Sequence, residues 1–344
     1  MFDTVAVGRV DSWHMVAQQV VYLAIVTAVL TQMFFVPAEP APEELRGVRR
    51  FYYRHRLALL SFFLGTLLNV YTVFFFKSSS LLVSFSFMLV MIALLFLNEF
   101  GPLKRMGVAF KFALLGLCGL SFCATVLPVF FGQIGTGIFL VSMAAGCVPM
   151  LALAAGIRRW RPERYPAVRQ QMLVPFGLVL ILFLGAYLLR VIPPVPLSIP
   201  FMGVYHGVER TDAGYRLSHE RPFWRIWHNG DQRFRAQDGD KVHVYFRIFS
   251  PSRFSDQVLM GWYRYEGGPK GRGWVLQDTI PIKIVGGREE GFRGYGVKTN
   301  YQPGKWKVEV ETTDRREIGR IYFSVESVST PLGLEARSFA ADLD

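Results

Sequence analysis

Arg288, Arg293, Tyr295 and Lys298 are the densest set of residues in this chain whose types suit ligand recognition. Guanidinium and ammonium groups bind carboxylates and phosphates, and an aromatic ring beside them suits cations or sugar rings. Arg288 follows the diglycine Gly286-Gly287, and the other three fall on or beside the next strand-like run. A hairpin there would bring Arg293, Tyr295 and Lys298 towards one face or rim. The plainer reading is a solvated β surface whose arginines guard a sheet edge, and it weighs more. Trp262, Trp274 and Trp306 invite a sugar-stacking platform, against the commoner role of tryptophan in a sandwich core. Trp262 stands with the four as a candidate for ligand or partner contact.

Other chemistry has little to build on. His14, His55, His206, His219, His228 and His243 share no metal-binding spacing. Cys118, Cys123 and Cys147 all lie in hydrophobic runs, where cysteine behaves as a small apolar residue. No Gly-x-Ser-x-Gly elbow or metalloprotease motif occurs. Gly132, Gly135 and Gly137 lack the preceding strand and the lysine of a phosphate loop. The expectation is a chain with no catalytic residues, no metal and no cofactor. Phe223-Trp224-Arg225-Ile226-Trp227-His228 is aromatic and basic; it reads as a first core strand, ahead of a membrane-interface belt or a partner surface.

These candidates must be positioned by strands. Val242, Val244, Phe246 and Ile248 alternate with His243, Tyr245, Arg247 and Phe249. Ile280, Ile282 and Ile284 repeat the pattern, as do Trp306, Val308 and Val310, then Ile321, Phe323 and Val325. Each set puts one face on a core and the other in water. Asp238-Gly239, Gly267-Gly268-Pro269, Gly286-Gly287 and Gln302-Pro303-Gly304 punctuate the runs. Short strands so spaced predict an all-β, antiparallel, immunoglobulin-like sandwich over 204–330. Residues 331–344 read as a loose tail.

The stretch Asp240 to Glu326 resembles a bacterial family catalogued as domain of unknown function 2914. The resemblance rests on Gly286-Gly287-Arg288, on Gly291-Phe292-Arg293-Gly294-Tyr295, and on Lys298. It continues through Gly304-Lys305-Trp306-Lys307-Val308-Glu309-Val310-Glu311-Thr312 and Ile318-Gly319-Arg320, with the Trp262 strand. It implies a domain type that often follows hydrophobic helices, and no activity. Two departures stand out. Gly261 precedes Trp262 where the family frequently has histidine, and Arg315 follows Asp314 where the family favours glycine. A left-handed turn at Arg315 would cost about 1 kcal/mol.

Ahead of this domain the chain is of another kind. Six runs reach the roughly 20 apolar residues that span a bilayer: Met15–Val36, Leu57–Phe76, Leu81–Asn98, Val108–Phe131, Ile138–Ile157 and Met172–Ile192. The first is no cleavable leader, since Asp3 and Asp11 outnumber Arg9 before it. A transmembrane bundle over 1–192 is expected, then a stiff linker over 193–203 with Pro193, Pro194, Pro196 and Pro200. Glu99, Lys111 and Arg190 lie near helix ends, and Asn69 is the one amide well inside a run. The loops after the first and fourth runs do not correspond, so no inverted repeat of the transporter kind is visible.

The net charge of +12 is uneven: 16 Lys and Arg against 7 Asp and Glu through Ile192, then 22 against 19. The excess marks topology and gives no nucleic-acid stripe. Arg46, Arg49, Arg50, Arg54 and Arg56 follow the first run, Lys104 and Arg105 the third, and Arg158, Arg159, Arg161, Arg164 and Arg169 the fifth. Basic short loops stay in the cytoplasm, so the N-terminus and everything after Ile192 are expected in the periplasm of a bacterial inner membrane. The expectation is a non-catalytic protein whose β domain engages a protein partner, a second copy or an envelope glycan, with membrane lipids around the helices. The alternative is a transporter or membrane enzyme with an accessory β domain.

Overall fold

The structure is a computed structural model, and it describes residues 12–36, 47–78, 89–94, 96, 107–192, 197–211, 214–220, 229–250, 255–268, 271–285, 291–329 and 333–340. The chain divides into two compact units: Met1–Phe76 with Leu81–Phe130 and Thr136–Val195, and Lys77–Ser80 with Phe131–Gly135 and Pro196–Asp344.

The first unit is helical. α1 is Trp13–Phe35, α2 Gly47–Ser78, α3 Val108–Phe131 and α4 Thr136–Trp160. After a short turn at Pro162–Arg164 come α5, Tyr165–Val168, a π-type stretch at Arg169–Leu173, and α6, Val174–Leu188. Five helical segments among the described residues are long and apolar enough to cross a membrane. The sixth predicted run, Leu81–Asn98, lies mostly outside the described residues, with helix at 89–94 and 96.

Aromatic contacts fix which helix ends meet. Gln32, late in α1, donates to the Tyr53 hydroxyl early in α2 (3.0 Å), and Arg56 donates to the Val36 carbonyl (3.0 Å). Phe34 meets Phe112, early in α3, at 6.4 Å. Phe75, late in α2, meets Phe183, late in α6, at 6.3 Å. Phe139, early in α4, stacks on Tyr187 at 3.5 Å and 6°. The late end of α1 and the early ends of α2 and α3 therefore share one end of the bundle. The late ends of α2 and α6 and the early end of α4 share the other. Ser142 and Gly146, four residues apart on α4 and small enough to let a helix approach, form an interface: a Cβ on Gly146 would lie 2.9 Å from Leu120 of α3. Gly156 has nothing within 4 Å of its Cβ position, so Ala152 with Gly156 holds no neighbour close.

The second unit is built of strands. They are β1 Ser198–Tyr205, β2 Gly207–Thr211, β3 Gly214–His219, β4 Arg233–Ala236, β5 Val242–Phe249, β6 Ser255–Gly268, β7 Gly271–Val285, β8 Phe292–Lys298, β9 Gly304–Thr312, β10 Glu317–Ser327 and β11 Glu335–Ala340. They form three sheets, β1-β5-β8, β4-β10-β9-β6-β7 and β11-β3-β2. All named pairs are antiparallel except β4 with β10. Val244, Phe246 and Ile248 of the first sheet share one buried core with Val258, Met260, Trp262, Val308, Val310 and Phe323 of the second. The alternation read from the sequence thus faces inward on β5, β9 and β10.

Three sheets stand where the sequence led one to expect a two-sheet, immunoglobulin-like sandwich. Tyr245, on the other face of β5, is buried as well, in a small second core with Tyr205 and Leu217 that involves the third sheet. Residues 335–340, in the segment read as a tail, form β11 and pair with β3 from Glu335↔His219 to Ala340↔Gly214. Its short run offered no apolar alternation, and β3 supplies its partner. β1 likewise begins at Ser198, inside the stretch read as linker.

Candidate functional site

Strand alternation divides the candidates taken from the sequence. Arg293 and Tyr295 share one face of β8, and Lys298 falls on the other. Arg293 is buried opposite Arg247 of β5, and Tyr295 is exposed opposite Tyr245. The Tyr295 ring also meets Tyr215 of β3 edge-on at 6.4 Å. Lys298 instead pairs with Asp278 and lies 5.9 Å from the Trp306 ring. Trp262 is fully buried against Phe323, centroids 6.4 Å apart. Arg288 and the segment 223–228 lie outside the described residues.

A different set converges on the face of the five-stranded sheet that turns away from the core. Register aligns Tyr263 of β6 with Lys307 of β9 and Lys307 with Tyr322 of β10. Tyr265 of β6 sits opposite Trp274 of β7. The Lys307 Nζ lies 4.3 Å from the Tyr263 ring centroid and 5.4 Å from that of Trp274. The Trp274 ring meets Tyr265 at 5.3 Å and Tyr322 at 5.5 Å. Tyr265 and Tyr322 are exposed, 38% and 40%.

Six charged groups among these rings pair with one another. Lys307 pairs with Glu309 at 2.7 Å, and Arg320 lies 3.7 Å from the same carboxylate. Arg320 also pairs with Glu317 and donates to the Tyr322 hydroxyl at 2.9 Å. Arg315 pairs with Glu311 at 3.2 Å. Burial, with the neighbouring Glu311 and Glu309, pushes the Tyr263 hydroxyl above its usual range. Three cations and three carboxylates thus neutralise one another on this face.

Gly261 has a role here. A Cβ at this position would sit 2.8 Å from the Tyr263 ring, so the ring lies over the glycine, two residues back on the same face. The histidine that the family resemblance leads one to expect at 261 would compete with that ring for the space. Sequence reading found the polar side of β9 and Trp274 but missed Tyr263, Tyr265 and Tyr322. Each is an ordinary strand tyrosine until the cross-strand register is known.

A second polar region is an open cleft of about 1110 Å³ lined by Asp238, Asp240, Lys241, Thr299, Tyr301 and Ser327 among others. Asp240 lies 3.4 Å from the buried His206 imidazole, and Asp231 3.7 Å from its other nitrogen. Among the described residues no group of His, Cys, Asp and Glu could hold a metal ion.

Comparison with solved structures gives only loose superpositions. A β-glucosidase from Listeria innocua in complex with glucose is 15% identical over 27% of this chain and 15% of its own, with a TM-score of 0.21. A β-glucosidase involved in saponin metabolism from intestinal bacteria is 11% identical over 38% of this chain and 16% of its own, TM-score 0.24. The alkylpurine DNA glycosylase AlkC of Pseudomonas fluorescens, bound to DNA with an abasic site analog, is 12% identical over 90% of this chain and 98% of its own, TM-score 0.24. Likeness at this level carries no argument about fold or function. No curated protein matches the chain. Residues 255–325, from the start of β6 to Val325 in β10, match the family described as Protein of unknown function (DUF2914), and the five-stranded sheet's aromatic face is carried on that stretch.

Proposed function

We propose that this chain is a non-catalytic protein of a bacterial inner membrane. Its helices anchor it, and its β domain binds a partner protein or glycan on the periplasmic side. The observation that carries the binding role is the solvent-facing row of aromatic rings around Lys307 on the five-stranded sheet. A face kept only for solubility would show isolated charged chains, and exposed aromatic groups concentrate where proteins bind something.

The topology rests on charge. The arginines early in α2, Lys111 early in α3 and Arg158 and Arg159 late in α4 fall at one end of the bundle, given which helix ends meet. Lys- and Arg-bearing short connections stay in the cytoplasm. α6 finishes at the opposite end, so the chain leaves the bundle on the periplasmic side. The rival transport reading needs polar groups converging between helices. Asn69 faces outward from the bundle and Lys111 is buried.

A reporter fused after Asp344 and functional only in the cytosol tests the layout in living cells. The expected result is no signal, with strong signal from the matching periplasmic reporter; the reverse pattern overturns the proposal.

A further inference from the structure

We infer that the outer face of the five-stranded sheet is a saccharide-binding platform. Tyr265, Trp274 and Tyr322 take the C–H faces of neutral pyranose rings there, and the Tyr322 hydroxyl with Arg320 beside it meets the hydroxyls. This deepens the proposed function and rests on its placing the domain in the periplasm.

Three observations select this ligand. The rings form a connected run, Tyr265 to Trp274 to Tyr322, with successive centroids 5.3 and 5.5 Å apart. Their planes are inclined by 69° and 52°, so the rings brace one another at fixed angles while Tyr265 and Tyr322 keep part of their surface open to a ligand. The electron-rich face of an aromatic ring attracts polarised C–H groups.

Second, the charges nearly cancel. Lys307, Arg315 and Arg320 each bond a carboxylate on the same face. These six groups cancel, and the exposed Lys305, two residues before Lys307 on the same face of β9, leaves only a small positive excess, too little to select an acidic polymer. A nucleic acid would need an uncompensated basic track.

Third, ionic groups lie between the rings. The side chains of Lys307 and Glu309 are only 10% exposed, beneath the aromatic layer. The centre of a protein–protein interface is depleted of charge. Sugars want polar groups beside apolar ones, and Arg320 with the Tyr322 hydroxyl it bonds provides them at the edge of the run.

The test uses the full chain in lipid nanodiscs, free of alkyl glycoside detergents, whose headgroups are themselves sugars. Titration calorimetry would be run with a panel of neutral oligosaccharides that includes the N-acetylglucosamine tetramer. Saturable binding to at least one is expected. Trp274→Ala and Tyr322→Ala should each weaken it about tenfold or more, while Trp274→Phe keeps most of it. Tyr295→Ala, on another sheet, should leave it unchanged. Circular dichroism melts of each variant confirm that the domain stays folded. No binding across the panel overturns the assignment, as does binding that Trp274→Ala and Tyr322→Ala leave intact. Capture of a protein that depends on Trp274, without saccharide affinity, also overturns it but spares the proposed function. A cytosolic C-terminus overturns both.

Discussion

The imidazole of His206 lies face to face with the ring of Phe234, centroids 4.0 Å apart and planes inclined by 18°. The stack seals a junction of several elements: the His206 N–H donates to Ser218 at the end of β3, and Asp231 accepts from the Glu220 N–H at 2.8 Å. Burial lowers the His206 pKa below 6.5 and outweighs the opposing pull of Asp240 and Glu220; His243 acts in the same direction as burial. His243 is itself lowered, chiefly by burial. Because the folded pKa lies below the unfolded one, the unfolded chain binds more protons in between. Stability is therefore fully present above pH 6.5 and falls as the pH drops below it. Thermal melts between pH 7.5 and about 5 should show this fall. His206→Phe keeps a ring against Phe234 and should flatten it, leaving the share of His243. A wild-type melting temperature constant across this range would contradict the account.

The β9–β10 hairpin carries a backbone strain. Arg315 has φ of 62°, a conformation that costs a residue with a Cβ about 1–2 kcal/mol. Three hydrogen bonds hold it there: Arg315 N–H to the Thr312 carbonyl at 2.9 Å, Arg316 N–H to the Thr312 hydroxyl at 3.0 Å, and Thr312 N–H to the Arg316 carbonyl at 2.9 Å. Arg315→Gly removes the strain but takes from Glu311, whose side chain is only 11% exposed, its partner at 3.2 Å. Stranding a buried charge costs about 3–5 kcal/mol, more than the strain returns, and glycine adds backbone entropy. The single variant should therefore melt lower than the wild type, and Arg315→Gly combined with Glu311→Gln, which removes the stranded charge, should recover most of the loss. A single variant that melts higher would show that the backbone outweighs the ion pair.

Two buried glycines should differ in their tolerance of one added carbon. At Gly230, φ is 74° and a Cβ would overlap the Val204 carbonyl oxygen, backbone that cannot swing away. At Gly296 the overlap is with the Met260 sulfur, the end of a flexible side chain. Gly230→Ala combines left-handed strain with steric overlap and should cost about 3 kcal/mol. Gly296→Ala should cost about 1 kcal/mol, since Met260 can repack. Denaturant midpoints decide the matter, and equal losses would refute the distinction.

The legible part of this molecule was whatever a single segment determines. Twenty apolar residues specify a membrane helix, and Val242 to Ile248 specify a half-buried strand, because each signal is complete within the segment. The platform was not legible, because Tyr263, Lys307 and Tyr322 meet only through the registers of β6 with β9 and β9 with β10. Lys298 shows the same limit from the other side. Its separation from Tyr295 by three positions puts the two on opposite faces of β8, where Lys298 finds Asp278. β11 was hidden because its partner, β3, lies more than a hundred residues earlier.

The ionic pair beneath the aromatic layer gives an asymmetric prediction. Glu309 has two cations, Lys307 at 2.7 Å and Arg320 at 3.7 Å, whereas Lys307 has Glu309 and the faces of Tyr263 and Trp274. Removing Lys307 leaves the carboxylate with Arg320. Removing Glu309 leaves a buried ammonium held only by ring quadrupoles, which return about 2 kcal/mol at best when desolvated. Stranding a buried charge costs about 3–5 kcal/mol. Glu309→Met should therefore destabilise the protein by about 2 kcal/mol, and Lys307→Met by less. The double variant should recover part of the loss, since replacing both partners by apolar groups is close to neutral. Chemical denaturation of the three proteins measures the ordering, and a Lys307→Met variant weaker than Glu309→Met would show that Arg320 does not serve Glu309 as a second partner.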